Sequence, residues 1–186
     1  MNIPPVEEFL TSEVPAADEA ELSALSRIVF TPEMCAGFVF PKSAPPPPIE
    51  WPKEKAARTF LIRLDGRIVA ACNLLPRRIQ TAAGTLDVLA LAGVKTHPEF
   101  RLHGYGAAVV RAAFAHVDNG AFGASLFQTG VPGFYEKLGC RCVDNAFFNS
   151  LGEDAAVTPW WDKFIMIYPA AFAWPAGKMD LRGPAW

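Results

Sequence analysis

Val94-Lys95-Thr96-His97-Pro98-Glu99-Phe100-Arg101-Leu102-His103-Gly104-Tyr105-Gly106 is the stretch whose reading decides the fold. It is entered from a nearly unbroken apolar run, Leu86 to Thr96, which predicts a central strand covered on both faces. A loop carrying Arg101 follows, and two glycines lead into a helix predicted over residues 104–117. Glycine lets the backbone approach a ligand closely and take φ values that other residues resist. The first amides of a helix have no partner within it and point at one spot, where the helix dipole adds positive potential. Arg101 adds charge-assisted hydrogen bonds to an anion there. The turn therefore suits a pyrophosphate, although a plain strand-to-helix junction accounts for two glycines equally well.

Outward from this turn, the helix is apolar on most of its girth through Ala107, Ala108, Val109, Val110, Ala112, Ala113 and Phe114, and Asn119-Gly120 stops it. A short strand over 124–129, a short helix over 132–138 ending at Gly139, and strands over 140–150 and 162–168 are predicted next. On the other side lies a β-meander. Strands over 59–64 and 67–75 flank Asp65-Gly66, a strong hairpin signal, and a second reversal falls at Ala82-Ala83-Gly84. Leu22, Leu25, Ile28 and Val29 recur at helical spacing over 18–30, with Asp18, Glu19 and Glu21 near the helix start. A second short helix through Met34 and Cys35 and a first strand within 6–14 complete the order. Such an alternation specifies an α/β protein with one mixed sheet and helices on its faces.

Val-x-Thr-x-Pro followed by Arg-x-x-Gly-x-Gly at a strand-to-helix junction resembles the coenzyme A grip of the GNAT acyltransferases. Gly133-Phe134-Tyr135-Glu136-Lys137-Leu138-Gly139-Cys140 resembles that family's later motif, Phe-Tyr-x-Lys/Arg-x-Gly-Phe, with Cys140 where Phe is usual. The resemblance spans about residues 6–168. It implies the GNAT acyl-CoA N-acyltransferase fold, with a central mixed sheet of six to seven strands and about four helices, as a single domain over 1–186. It implies acetyl-CoA as co-substrate, with cofactor contacts from Gly93, Val94, Lys95, Thr96, Arg101, Leu102, His103, Gly104, Tyr105, Gly106 and Phe134. Strands 86–96 and 124–129 would lie parallel and splay apart. The pantetheine arm would then pair with the backbone of Val94 and Thr96, and the acyl carbonyl would lie near Ala92 to Val94.

The implied reaction is direct attack of a neutral amine on the thioester. Tyr135 matches the family's general acid, and a phenol with an ordinary pKa near 10 is a suitable donor to a thiolate. Many relatives place the general base two residues before the valine, where this chain has Ala92. Asp87 lies on the same strand, but parity sets it on the opposite face from Ala92 and Val94 unless a bulge intervenes. Glu50, His97 and Glu99 are the other candidates, and none is assigned.

The rest of the chain bears on the acceptor. Residues 41–52 carry six prolines, four of them consecutive at 45–48, which predicts a stiff extended loop that Trp51 would pin to the body. Phe38, Phe40, Trp51, Trp160, Trp161, Trp174 and Trp186 are candidates for an aromatic wall around an amine. The aromatic tail over 169–186 ends at Trp186 and resembles that of aminoglycoside 2′-N-acetyltransferases. If it folds over the cleft, Asp180 and the terminal carboxylate would attract an amine.

Hydrophobic residues make up 51% of the 186 and the net charge is −2, with no basic cluster to mark a nucleic-acid or anionic-membrane partner. Cys35, Cys72, Cys140 and Cys142 lack metal-site spacing, and Cys140 and Cys142 are expected as buried free thiols on one strand face. No signal peptide and no apolar stretch of the roughly 20 residues needed for a span is apparent. A cytoplasmic enzyme without a metal is therefore expected, and a homodimer stays compatible with the sequence. Its expected activity is N-acetylation of a small-molecule amine. Acetylation of a protein lysine or N-terminus and a non-catalytic coenzyme A-binding module are the alternatives.

Overall fold

Two residues in the left-handed region, Asp65 (φ 49°) and Gly66 (φ 81°), turn the first hairpin, the conformation that a two-residue loop between twisted strands demands. They join β2 (Arg58–Leu64) to β3 (Arg67–Thr81). The computed structural model describes residues 3–36, 38, 41–154 and 156–186. β3 runs on past the expected end at Leu75. The last rung to β2 pairs Arg58 with Leu74, so Pro76 lies where β3 has become an edge on that side. β3 then turns into β4 (Gly84–Thr96). Thr81 Oγ1 accepts from the Ala83 amide and donates to the Gly84 carbonyl to close the loop.

Nine strands are present among the described residues, more than the six to seven expected. In order the sheet reads β1 (Glu7–Leu10), β2, β3, β4, β5 (Ala124–Thr129), β8 (Phe164–Tyr168) and β6 (Arg141–Cys142). The extra strands are two-residue pieces. The strand expected over 140–150 breaks into β6 and β7 (Phe147–Phe148), and the tail contributes β9 (Met179–Asp180), which pairs with β7 and β3. Cys140 precedes β6 and is buried, whereas Cys142 is exposed, so the expected buried pair does not form.

β4 and β5 are parallel, joined by α3 (Tyr105–Asp118) as crossover; every other rung of the main path is antiparallel. α3 covers one face of the sheet. Its Val109, Val110, Ala113 and Phe114 pack on Phe60, Cys72, Leu74, Leu89 and Leu91, and α4 (Pro132–Glu136) joins this layer through Tyr135. Half of the other face lies under α1 (Ala16–Val29), where Leu25 and Val29 meet Leu61, Ile68 and Ala71. The tail covers a further part of that face. Met179 and Leu181 are buried with Ile79, Val88, Leu126 and Ile167, and Trp186 packs edge-on against Trp160 at 5.0 Å. The tail is thus a structural layer and not a free end. The proline run carries no helix or strand beyond a single bridge between Ser43 and Gly152. Trp51 does pin it, beneath the Arg78 guanidinium and the Lys55 ammonium. α2 (Pro32–Cys35) is one turn long, and no described helix is long and apolar enough to cross a membrane.

Candidate active site

The rungs between β4 and β5 stop at Ala90 opposite Leu126, although both strands continue, to Thr96 and Thr129. Beyond that point the edge of β4 facing β5 has no strand partner among the described residues, and the two splay apart. A bulge sharpens the divergence. Ala71 faces Lys95 while Asn73 faces Ala92, so β4 carries one extra residue, with Gly93 at φ 57°. A bulge leaves its extra residue outside the ladder and re-aims the side chains after it. Leu89 and Leu91 point toward α3 before it and Val94 after it. The parity expectation is corrected on this point: the bulge returns Val94 to the face of Asp87, and Ala92 alone stays opposite.

Past β4, Pro98–Phe100 forms a single 3-10 turn. Leu102 (φ 66°) and Gly104 (φ 84°) then reverse the chain into α3. Gly104 is the N-cap, no side chain caps the amides of the first turn, and no acidic residue offsets the dipole there. Among the described residues, no side chain meets the positive end of α3, which suits an anion. A Cβ on Gly106 would fall 2.9 Å from Thr96 Oγ1, so this position keeps the backbone in close contact with the end of β4. Arg101 is exposed at the same rim, its Nε 3.4 Å from the Thr96 carbonyl, and Leu102 is fully exposed. The His103 ring stacks on that of Tyr105. The residues present fit a pyrophosphate at this turn.

Two of the expected contact residues face elsewhere with their side chains. Lys95 is buried on the α1 face, where its Nζ donates to Ser26 Oγ at 2.9 Å. Burial holds its pKa below the ordinary lysine value. Tyr105, the first residue of α3, is buried in the main core. Each has only its backbone to offer a ligand.

Tyr135 comes from α4 and packs between Phe127 and Phe134, with ring centroids at 4.6 and 4.8 Å. Phe134 in turn lies against Gly106. The Tyr135 hydroxyl hydrogen-bonds to no described residue and is not sealed from the surroundings. Burial pushes its pKa well above the ordinary phenol value, and charge on neighbouring Cys72, Cys140 or Asp162 acts in the same direction. It is therefore held as a neutral donor.

Between the cover of α1 and that of the tail, the sheet face is left to half-buried Asn73, Leu75 and Ala92. Asn73 Oδ1 accepts from Thr59 Oγ1, which turns its Nδ2 toward Gly93. A small cavity of about 130 Å³ lies on the tail side, lined by Pro41, Asn149, Pro159, Trp161, Pro184 and Ala185. The expected aromatic wall is dispersed. Trp161 lines this cavity with Phe38 beside it at 6.5 Å. Trp51 sits at the far end of β4, Trp160 is core, and Trp174 donates to Asn145 in a separate groove beside Arg141 and Lys178. Phe40 lies outside the described residues.

The base candidates fare poorly. Asp87 is bound at both oxygens by Arg78 and Lys55, which outweighs burial and keeps its pKa below the ordinary carboxylate value. His97 has its Nε2 against the Arg67 guanidinium at 2.9 Å, so that nitrogen is already an acceptor. Glu50 and Glu99 are solvent-exposed. Asp180 does not reach the cleft, because its Oδ1 accepts from the amides of Ser150 and Arg182.

A family model described as an acetyltransferase (GNAT) domain matches residues 35–143, more than half of the chain. The protein belongs to this family. Its fold is shared with solved structures at low identity. The GNAT family N-acetyltransferase YhbS of Escherichia coli, determined in complex with CoA, is 12% identical at a TM-score of 0.59, over 96% of this chain and 89% of that one. ElaA of Escherichia coli is 13% identical at 0.55, over 88% and 98%. A probable N-acyltransferase of Enterococcus faecalis is 13% identical at 0.53, and this chain spans only 32% of its length. No curated protein matches this chain in sequence.

Proposed function

We propose that the protein transfers an acetyl group from acetyl-CoA to the primary amine of a small molecule. One observation carries the reading: the uncapped N-terminus of α3, with Arg101 at its rim, stands at the mouth of two parallel strands that part company after Ala90 and Leu126. The amides of the first turn and Arg101 bind the pyrophosphate, and the free edge of β4 at Val94 and Thr96 pairs with the pantetheine amides. Backbone N–H groups freed by the bulge at Gly93 polarise the acyl carbonyl. Tyr135 supplies the proton that the departing sulfur takes. Its raised pKa suits this, because the phenol stays protonated throughout the working pH range. CoA in the YhbS structure supports the choice of donor. The narrow apolar cavity between the proline loop and the tail favours a small acceptor body.

The test is release of free thiol from acetyl-CoA in the presence of an amine panel that includes lysine peptides. Saturable thiol release with small amines and none with peptides is expected. Tight acetyl-CoA binding without thiol release from any acceptor would overturn the proposal.

A further inference from the structure

The base that the sequence leaves unassigned has a structural candidate at the end of the splay. β8 runs antiparallel to β5 with Thr129 opposite Phe164, so Asp162 reaches the open end of the sheet beside Gly130. Its Oδ1 lies 3.5 Å from where a Cβ on Gly130 would stand, and the glycine leaves that oxygen uncovered. The carboxylate makes no ion pair and no hydrogen bond among the described residues. Its backbone is nevertheless fixed: Gln128 Oε1 accepts from the amides of both Trp161 and Asp162, at 3.0 and 2.9 Å. The preceding side chain, Trp161, lines the small apolar cavity. A half-buried carboxylate, rigidly presented and left without a cation, is what a site for an incoming ammonium requires.

We propose that Asp162 is the general base of the reaction, receiving the acceptor ammonium and taking its first proton. This rests on the acetyl-transfer reading above. The freed lone pair then forms the N–C bond while the C–S bond breaks, and the sulfur takes the Tyr135 proton. The second proton leaving the nitrogen restores the Tyr135 phenol, and the Asp162 proton passes to water, so one proton is released per turnover. Burial raises the Asp162 pKa above the ordinary carboxylate value, which brings it closer to neutrality. The same charge is felt at Tyr135, where it adds to the effect of burial.

The experiment compares wild type with Asp162→Asn, using the best alkylamine acceptor and a β-fluorinated analogue whose ammonium is largely deprotonated at the assay pH. The variant should lose about 100-fold in kcat/KM for the alkylamine. It should lose less than about threefold for the fluorinated analogue, with unchanged coenzyme A affinity and unfolding midpoint. Asp162→Ala should recover activity with added formate. Equal losses on both acceptors, or no loss on either, would overturn the assignment. Wild type that binds coenzyme A but acylates neither amine would instead remove the underlying reading, and this one with it.

Discussion

A single hydroxyl separates the catalytic role proposed for Tyr135 from its structural one. Its ring fills space between Phe127 and Phe134, and Tyr135→Phe keeps all of that packing. Stability should stay within about 0.5 kcal/mol in urea unfolding. The kcat should fall by about 100-fold, the contribution of a positioned general acid. Because burial raises the folded pKa, wild-type activity should also show no loss from phenol ionisation between pH 8 and about 10, the ordinary tyrosine value. The strand-to-helix turn was legible in the sequence because Gly104 and Gly106 follow an apolar strand and precede an apolar helix. Asp162 was not. The role proposed for it depends on a missing side chain at Gly130 and on a clamp from Gln128, and neither leaves a local pattern.

At the scale of elements, β4 divides its work between its two ends. Asp87 holds Arg78 and Lys55 at the end away from the splay. Its folded pKa lies below the unfolded value, so its stabilisation is present above about pH 4 and lost as the pH falls through the folded value. Asp87→Asn should therefore lower the unfolding midpoint at pH 7 and leave kcat unchanged, and the gap to wild type should close below pH 4. The tail makes a stronger claim on stability. Trp186 packs on Trp160, lies under the Arg77 guanidinium at 4.6 Å, and donates its indole N–H to the Leu126 carbonyl beside the last β4–β5 rung. Trp186→Ala should cost roughly 2 kcal/mol by urea denaturation, less than for a fully buried tryptophan. Turn residues announced both hairpins, although β3 runs past its expected end at Leu75 to Thr81, and periodicity announced α1, α3 and β5 within a residue or two. It failed over 140–150 and in the tail, where two-residue strands are too short to carry a period and are held by partners distant in sequence. The bulge at Gly93 was equally invisible, since a glycine within an apolar run reads as strand.

For the molecule as a whole, one face of the sheet is sealed by α3 and α4, and the other is shared between α1 and the tail. The cleft is what these covers leave open, so the fold was readable from the order of elements while the acceptor side was not. The six described aromatics among those expected to form a wall serve four different places. That dispersal follows from a chain whose tail closes the sheet instead of lidding it. The central claim concerns the donor site at the splay, and a crystal structure of the coenzyme A complex tests it most directly. The pyrophosphate should accept hydrogen bonds, at about 2.8–3.2 Å, from the amides at the start of α3 and from Arg101. The pantetheine should lie along Val94 and Thr96, with its sulfur near the Tyr135 hydroxyl. Coenzyme A bound elsewhere, for instance in the groove between Arg141 and Lys178, would contradict the account.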